Sequence, residues 1–360
     1  MKNRNSNERD DTKFNTDVCF TVDDKLPIVA MSIGFMPSWW NRKYRIEFGE
    51  KYIFDLDYRV ETTRFKWKTI NESFPGLNVG SQNPKPEFIR IDLHNAMTPA
   101  AAGCEIFYPL DGYPTSRPLP LEKIEKIELP KDMENTFPYN EIIKQTKYLN
   151  RKLNKDVKPF IFKNGTLNDD VLIRGSEIFA ELIDEPEIAK KFLDFSYNIG
   201  IMEYDFNFSN KSMPEIMPVC NCTAFLIGPD LYEQVQFDYD VRLFNYLRKN
   251  NQKIMLHHCG LFDPFISAYK KLPWVDMVQI GPDSSPRLAL EGFPNAYVDY
   301  CFSSVWLTQA SRSEVIEKTN SLLEEARGNW HRFSVNIVDI DVDMPESYLM
   351  DIYECIKMAV

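Results

Sequence analysis

An α/β fold on parallel strands is what this chain predicts, and three observations carry the expectation. First, strand-like apolar runs at residues 253–258, 276–280, 296–300 and 333–340 alternate with helical stretches at 229–250, 264–271, 284–291, 311–327 and 345–358. Second, repeated β-then-α units need crossover connections, which bring consecutive strands in parallel. Third, 360 residues suffice for one large α/β barrel or two ordinary domains, and a chain 44% hydrophobic and 26% charged can bury a sizeable core. A doubly wound sheet and an eight-stranded barrel both satisfy the alternation. In either, chemistry belongs at the C-terminal ends of the strands.

In chain order, residues 1–16 are polar and charged and read as a disordered tail. From 27 to about 132 the pattern is irregular, broken by Pro37, by Trp39 and Trp40, and by the Pro/Gly/Asn-rich loop 74–86. Residues 159–162 form a short strand. The stretch 168–198 carries helical spacing through Ile178, Phe179, Leu182 and Ile183 and is interrupted at Glu185-Pro186, which predicts a helix pair. The alternating half follows without a Pro/Gly/Ser linker, so residues 17–360 are expected to form one domain.

Composition excludes several classes of function. The net charge is −11, from 42 basic and 53 acidic residues, and no Lys/Arg stripe is interleaved with aromatics, so nucleic acid is not an expected partner. Neither a signal peptide nor a run approaching the roughly 20 apolar residues of a membrane span is present. Seven cysteines, at 19, 104, 220, 222, 259, 301 and 355, are odd in number and scattered, which fits reduced thiols and a cytoplasmic location rather than a disulfide framework. No Gly-x-Gly-x-x-Gly, phosphate-cradling loop or Gly-x-Ser-x-Gly elbow occurs.

Half of the four histidines stand together in Leu256-His257-His258-Cys259-Gly260. On a strand, His257 and Cys259 share one face and His258 takes the other. An imidazole and a soft sulfur on one face make half of a zinc site, while a packed histidine and a buried thiol are the plainer reading. One βα unit upstream lie Cys220 and Cys222, and neighbouring parallel strands would bring their loop to the same face. Cys301 ends the next strand but one and is a further sulfur, packed or ligating. Asp283 lines the same mouth or serves a turn or helix N-cap. In Asp339-Ile-Asp341-Val-Asp343, period two places three carboxylates on one face, where they bind a cation, position a proton or are simply solvated.

The order from Cys222 onward, Cys222-Thr-Ala-Phe-Leu-Ile-Gly-Pro229-Asp-Leu-Tyr232 and then Leu256-His257-His258-Cys259-Gly260, resembles the uroporphyrinogen decarboxylase superfamily, specifically its cobalamin-dependent methyltransferase branch. A weaker likeness lies in Gly165-Thr-Leu-Asn168 and from Arg174 to Pro186. The resemblance implies a single (β/α)8 TIM barrel with zinc near its C-terminal mouth. Within the branch a histidine and a cysteine spaced as His257 and Cys259 supply two ligands, and a cysteine after the last strand supplies a third. Here residues 333–343 contain no cysteine. Cys222 is the replacement, since its loop resembles the Asp-Cys-Asn loop of another group in the superfamily, with Asn221 in place of the aspartate.

The implied activity is zinc-dependent methyl transfer between a corrinoid, either free cobalamin or a corrinoid protein, and a small thiol or methylated substrate, by a monomer or homodimer. Trp39, Trp40 and Phe35 wall the ligand or belong to the core. A rival is a metal-free decarboxylase-like lyase. True uroporphyrinogen decarboxylases, however, carry an arginine-rich N-terminal segment, and the comparable stretch here has no arginine between Ser32 and Arg42. A third reading is a structural zinc closed by Cys220 as fourth ligand.

Overall fold

A computed structural model describes residues 18–21, 29–77, 79–84, 92–124, 126–159 and 163–359. In chain order its strands are β1 (Val18–Thr21), β2 (Ala30–Phe35), β3 (Glu105–Phe107), β4 (Thr115–Arg117), β5 (Ile216–Cys220), β6 (Lys253–His258), β7 (Met277–Ile280), β8 (Tyr297–Cys301) and β9 (Phe333–Ile340). The main sheet has the order β1-β2-β9-β8-β7-β6-β5, and β3 and β4 form a separate antiparallel hairpin. Within the main sheet β2, β9, β8, β7, β6 and β5 are mutually parallel, as the β-then-α repeats require, and β1 is antiparallel.

Of the expected eight-stranded barrel, the described residues show the mixed α/β class and the parallel curl. The described residues form a curled arc of six parallel strands that does not close, because the outer edge of β2 is taken by β1, paired over Val18–Thr21. Beyond β5 one isolated parallel bridge, Asn164 to Cys220, marks a further parallel position. The strand expected at 159–162 lies outside the described residues except for Pro159, as does the tail 1–16.

One face of the arc is apolar and covered by helices. Met31, Ile33, Val219, Leu256, Val278, Val298, Val335 and Ile337 are fully buried there against helix residues such as Phe244, Leu247, Ala268 and Leu322. Pairing in register places the alternate residues Ser32, Asn336, Asp299, Gln279, His257 and Cys220 together on the inner face of the curl. A second apolar cluster gathers the helices of the N-terminal half, and Tyr52, Tyr197 and Ile227 pack against both.

Helix starts follow local chemistry. Ser311 and Glu314 form a capping box at Arg312–Glu325, and Ser285, Ser303 and Asp55 cap Pro286–Gly292, Ser304–Gln309 and Leu56–Ser73. The helix pair expected over 168–198 is three helices, Thr166–Arg174, Glu177–Asp184 and Pro186–Ser209, since Gly175 at φ 86° ends the first. Likewise the helix expected at 229–250 is divided into Ala224–Val235, kinked at Gly228, and Phe237–Lys249. The irregular N-terminal region holds β2, β3 and β4 and the helices Pro37–Tyr44, Glu50–Phe54, Leu56–Ser73, Met97–Ala101 and Leu121–Ile124, and the helix Tyr139–Leu153 follows it. Leu56–Ser73 was hidden from periodicity because its buried side includes Arg59, Thr62, Thr63 and Lys66.

Candidate metal centre

Three of the residues singled out in the sequence converge at the C-terminal end of β5 and β6. His257 Nε2 lies 2.9 Å from Cys259 Sγ, and Cys259 Sγ lies 3.0 Å from Cys222 Sγ. All three ligand atoms fall within 4.8 Å of one another, and they form the His/Cys/Asp/Glu group among the described residues that could hold a metal ion. His258 points the opposite way, as alternation requires. Its Nδ1 meets Tyr269 Oη at 2.9 Å inside an aromatic cluster with Phe262 and Phe265.

The loop that carries Cys222 is held from both sides. Asn221 N donates to His257 O at 2.8 Å, and Gly165 N donates to Cys220 O at 2.9 Å. Asn168 Oδ1 accepts from Thr223 N at 2.9 Å and from Thr223 Oγ1 at 2.6 Å. The buried Asn221 side chain donates through Nδ2 to Asp240 Oδ2 at 2.6 Å and accepts from Gln236 Nε2 at 3.0 Å, while Tyr232 Oη donates to Asp240 Oδ2 at 2.7 Å. Burial raises the Asp240 carboxyl to about 6, against the lowering effect of those bonds. An aspartate at 221 would set a second carboxylate against Asp240, so the amide suits this loop. Next to β6, Gly281 is required by close approach: a Cβ there would stand 2.2 Å from Cys259 O and 2.3 Å from Gly260 O.

Hydrogen bonding couples the ionisation of the three sulfurs. Hydrogen bonds from Cys220 and then Cys259 hold the Cys222 thiol far below its ordinary pKa, and the same bonds raise those of Cys220 and Cys259. For His257, burial lowers the pKa, but the charge of Cys222 and hydrogen bonds to Cys222 and Gln279 outweigh it and the net shift is upward. Both shifts favour negative charge on Cys222 and positive charge on His257, and binding of a metal at these atoms would displace their protons. The donor set fits zinc in kind. Tetrahedral zinc spreads its sulfur and nitrogen ligands about 3.5 to 3.8 Å apart, so the His257–Cys259 and Cys259–Cys222 pairs would each have to open by less than about 1 Å.

Behind His257 runs a relay that the sequence reading missed. His257 Nδ1 meets Gln279 Oε1 in a short hydrogen bond, and Gln279 Nε2 donates to Asp299 Oδ2 at 2.6 Å. Asp299 also accepts from Ser334 Oγ at 2.5 Å and from Asn336 Nδ2 at 2.9 Å. Because the amide nitrogen of Gln279 faces a carboxylate, its oxygen faces His257 and accepts from Nδ1–H, which leaves Nε2 directed at the sulfurs. The signal was present in the sequence as polar residues inside the apolar strand runs, Gln279 in β7, Asp299 in β8 and Ser334 and Asn336 in β9, at positions that only the strand register aligns with His257.

The other candidates divide. Cys220 is buried beside Cys222 and outside the three-atom group. Cys301 stands on the inner face at the end of β8, paired with Asn336 and outside the group. Asp283 is exposed in a turn and pairs with Lys318 at 3.3 Å, away from the sulfurs, while Ser285 caps the helix that follows. The three carboxylates of 339–343 do not share a strand face. β9 ends at Ile340, Asp341 turns back to accept from Val342 N at 2.7 Å, and Asp339 alone reaches the mouth, where its charge acts on His257 and Cys259. Phe35, Trp39 and Trp40 are core residues whose rings pack on one another at tilted and edge-to-face angles, with Phe35 stacked on Phe74.

The fold is similar to that of a methyltransferase from Methanosarcina mazei, whose solved structure superposes with a TM-score of 0.63 over 94% of this chain and 95% of that one, at 15% sequence identity. At that identity the likeness establishes the fold. No protein-family model and no curated protein sequence matches the chain. Among the described residues no helix is long and apolar enough to cross a membrane.

Proposed function

We propose that the protein is a zinc-dependent methyltransferase that moves a methyl group between a corrinoid and a thiol, and that its arc of strands belongs to a single (β/α)8 barrel. The observation that carries this reading is the convergence of Cys222 Sγ, His257 Nε2 and Cys259 Sγ at the C-terminal ends of adjacent parallel strands. The fold likeness to a methyltransferase supports it. Cys222, His257 and Cys259 would hold the metal with a fourth position left for substrate. Bound zinc supplies a Lewis acid that lets a thiol lose its proton near neutral pH.

The chain's own residues prepare that position. Gln279 and Asp299 hold the His257 ring with Nε2 toward the sulfurs. Asn221 and Asn168 hold the Cys222 loop against β6. Phe225 and Leu226, just after Cys222, and Leu261, just after Cys259, are exposed apolar side chains that would shed water when a flat macrocycle covers the mouth. With a methylated corrinoid as substrate, a carbon–sulfur bond forms, the cobalt–carbon bond breaks, and the cobalt keeps the bonding electron pair; the thiol's proton leaves to solvent.

The test is metal analysis of purified protein together with spectrophotometric demethylation of free methylcobalamin by a thiol panel. One zinc per chain and thiol-dependent demethylation are expected. His257→Ala, Cys259→Ala and Cys222→Ala should each lose metal and turnover together, Cys220→Ala should be milder, and His258→Ala should keep both. Full zinc retention by both His257→Ala and Cys259→Ala refutes the assignment and leaves the metal-free lyase as the reading to pursue.

A further inference from the structure

We propose that the thiol substrate carries a cationic nitrogen group, recognised by Asp339 and by the free amide oxygen of Asn336, and is not an anionic thiol. The inference rests on the methyl-transfer reading for the sulfur end of that molecule and concerns its other end.

The first observation is a bulge. β9 pairs Ile337 with Ile33 and Ile340 with Phe35, so three steps along β9 match two along β2. Before the bulge Phe333, Val335 and Ile337 all pack on the helix-covered face, and simple alternation would send residue 339 there too. Instead Ile340 takes that place, fully buried, and Asp339 is exposed at the lip in left-handed backbone at φ 61°. A non-glycine residue adopts that conformation at a free-energy cost, and bulges beside functional sites characteristically re-aim one side chain. Here the re-aimed side chain is a carboxylate whose charge reaches His257 and Cys259.

The second observation is independent of the first. Asn336, on the inner face of the same strand and 6% exposed, uses Nδ2 on Asp299, but its Oδ1 has no hydrogen-bond partner. A buried carbonyl oxygen without a donor is costly, and an N–H group brought by a ligand would satisfy it. Both open groups are therefore acceptors, three residues apart on one strand. Two lysines that the fold brings to this end of the sheet are already occupied. Lys163, next to the bridge with Cys220, is enclosed by Asp169 and by Glu203 at 2.6 Å, and Lys318 is paired with Asp283 at 3.3 Å. A sulfonate or carboxylate tail would meet Asp339 and an unpaired oxygen, whereas an N–H-bearing cation suits either acceptor.

The experiment uses three thiols of one length that differ only in the charge of the tail: 2-aminoethanethiol, 2-mercaptoethanol and 2-mercaptoethanesulfonate. Each is titrated calorimetrically into the purified metal-loaded protein. The amine should bind about tenfold more tightly than the neutral thiol, and the sulfonate more weakly than either. Asp339→Asn should erase most of the amine's advantage with metal content unchanged, and Asp339→Lys should reverse the order. A sulfonate that binds as tightly as the amine, a ranking indifferent to Asp339→Asn, or absence of binding by all three overturns the proposal. Failure of the methyl-transfer reading looks different: the amine preference persists while methylcobalamin is not demethylated.

Discussion

Replacing Gln279 by leucine tests how far the inner face of the sheet prepares His257. The side chains are similar in volume, so packing changes little, but two hydrogen bonds vanish: the short one from His257 Nδ1 to Gln279 Oε1 and the 2.6 Å bond from Nε2 to Asp299. The second leaves Asp299 with two of its three donors, at a cost of about 1 to 2 kcal/mol in folding stability. The first frees the imidazole to rotate and to place its proton on either nitrogen. Loss of such an orienting partner typically weakens metal binding 10- to 100-fold, or roughly 1.4 to 2.7 kcal/mol. Competition with a chromophoric zinc chelator at constant pH reads the affinity, and urea unfolding of the metal-free protein reads the stability. Asp299→Asn should act in the same direction, because an amide there can donate to Gln279 and let it turn over. A zinc affinity within twofold of the parent in both variants would refute the idea that the relay orients the ligand.

Three further outcomes follow from the same structure. Burial, and next the charge of His257, lower the pKa of His258 to about 4, so its neutral form is favoured on folding. The unfolded chain, with an ordinary histidine near 6.5, then binds the proton first. Stability from this group is complete above about pH 7 and lost as pH falls toward 4, by about 2 kcal/mol at pH 5, and chemical denaturation of the parent against His258→Gln at pH 7 and 5 measures the difference. Cys355, buried in the helix Ser347–Met358 beside Ile352 and Tyr348, should tolerate alanine with a loss of about 1 kcal/mol and no change in bound metal, as metal analysis would show. Trp39→Ala should cost about 3 to 5 kcal/mol of urea-measured stability, since the ring is buried between Phe35, Trp40 and Tyr44.

What the sequence determined by itself is local. The runs at 253–258 and 333–340 coincide with β6 and β9 because each is rich in apolar and β-branched residues and bounded by polar turns, and period two separates His257 from His258 without reference to any other strand. Ser311 and Glu314 announce a helix start in the same way. β5 was not legible, since Pro218 interrupts a short run and proline is tolerated only where the sheet ends or a ladder bond is dispensable. The helix Leu56–Ser73 was not legible either, because it buries charged and hydroxyl side chains that hide its apolar stripe. Only the tertiary structure decided how strands align. Register set Gln279 and Asp299 behind His257, an extra residue in β9 turned Asp339 out to the mouth while Asp341 and Asp343 fell past the strand end, and the buried Asn221–Asp240 pair drew Cys222 to Cys259. Each of these depends on hydrogen bonds between residues some 20 or more positions apart, or on a one-residue offset between neighbouring strands, and neither leaves a periodic trace in the chain.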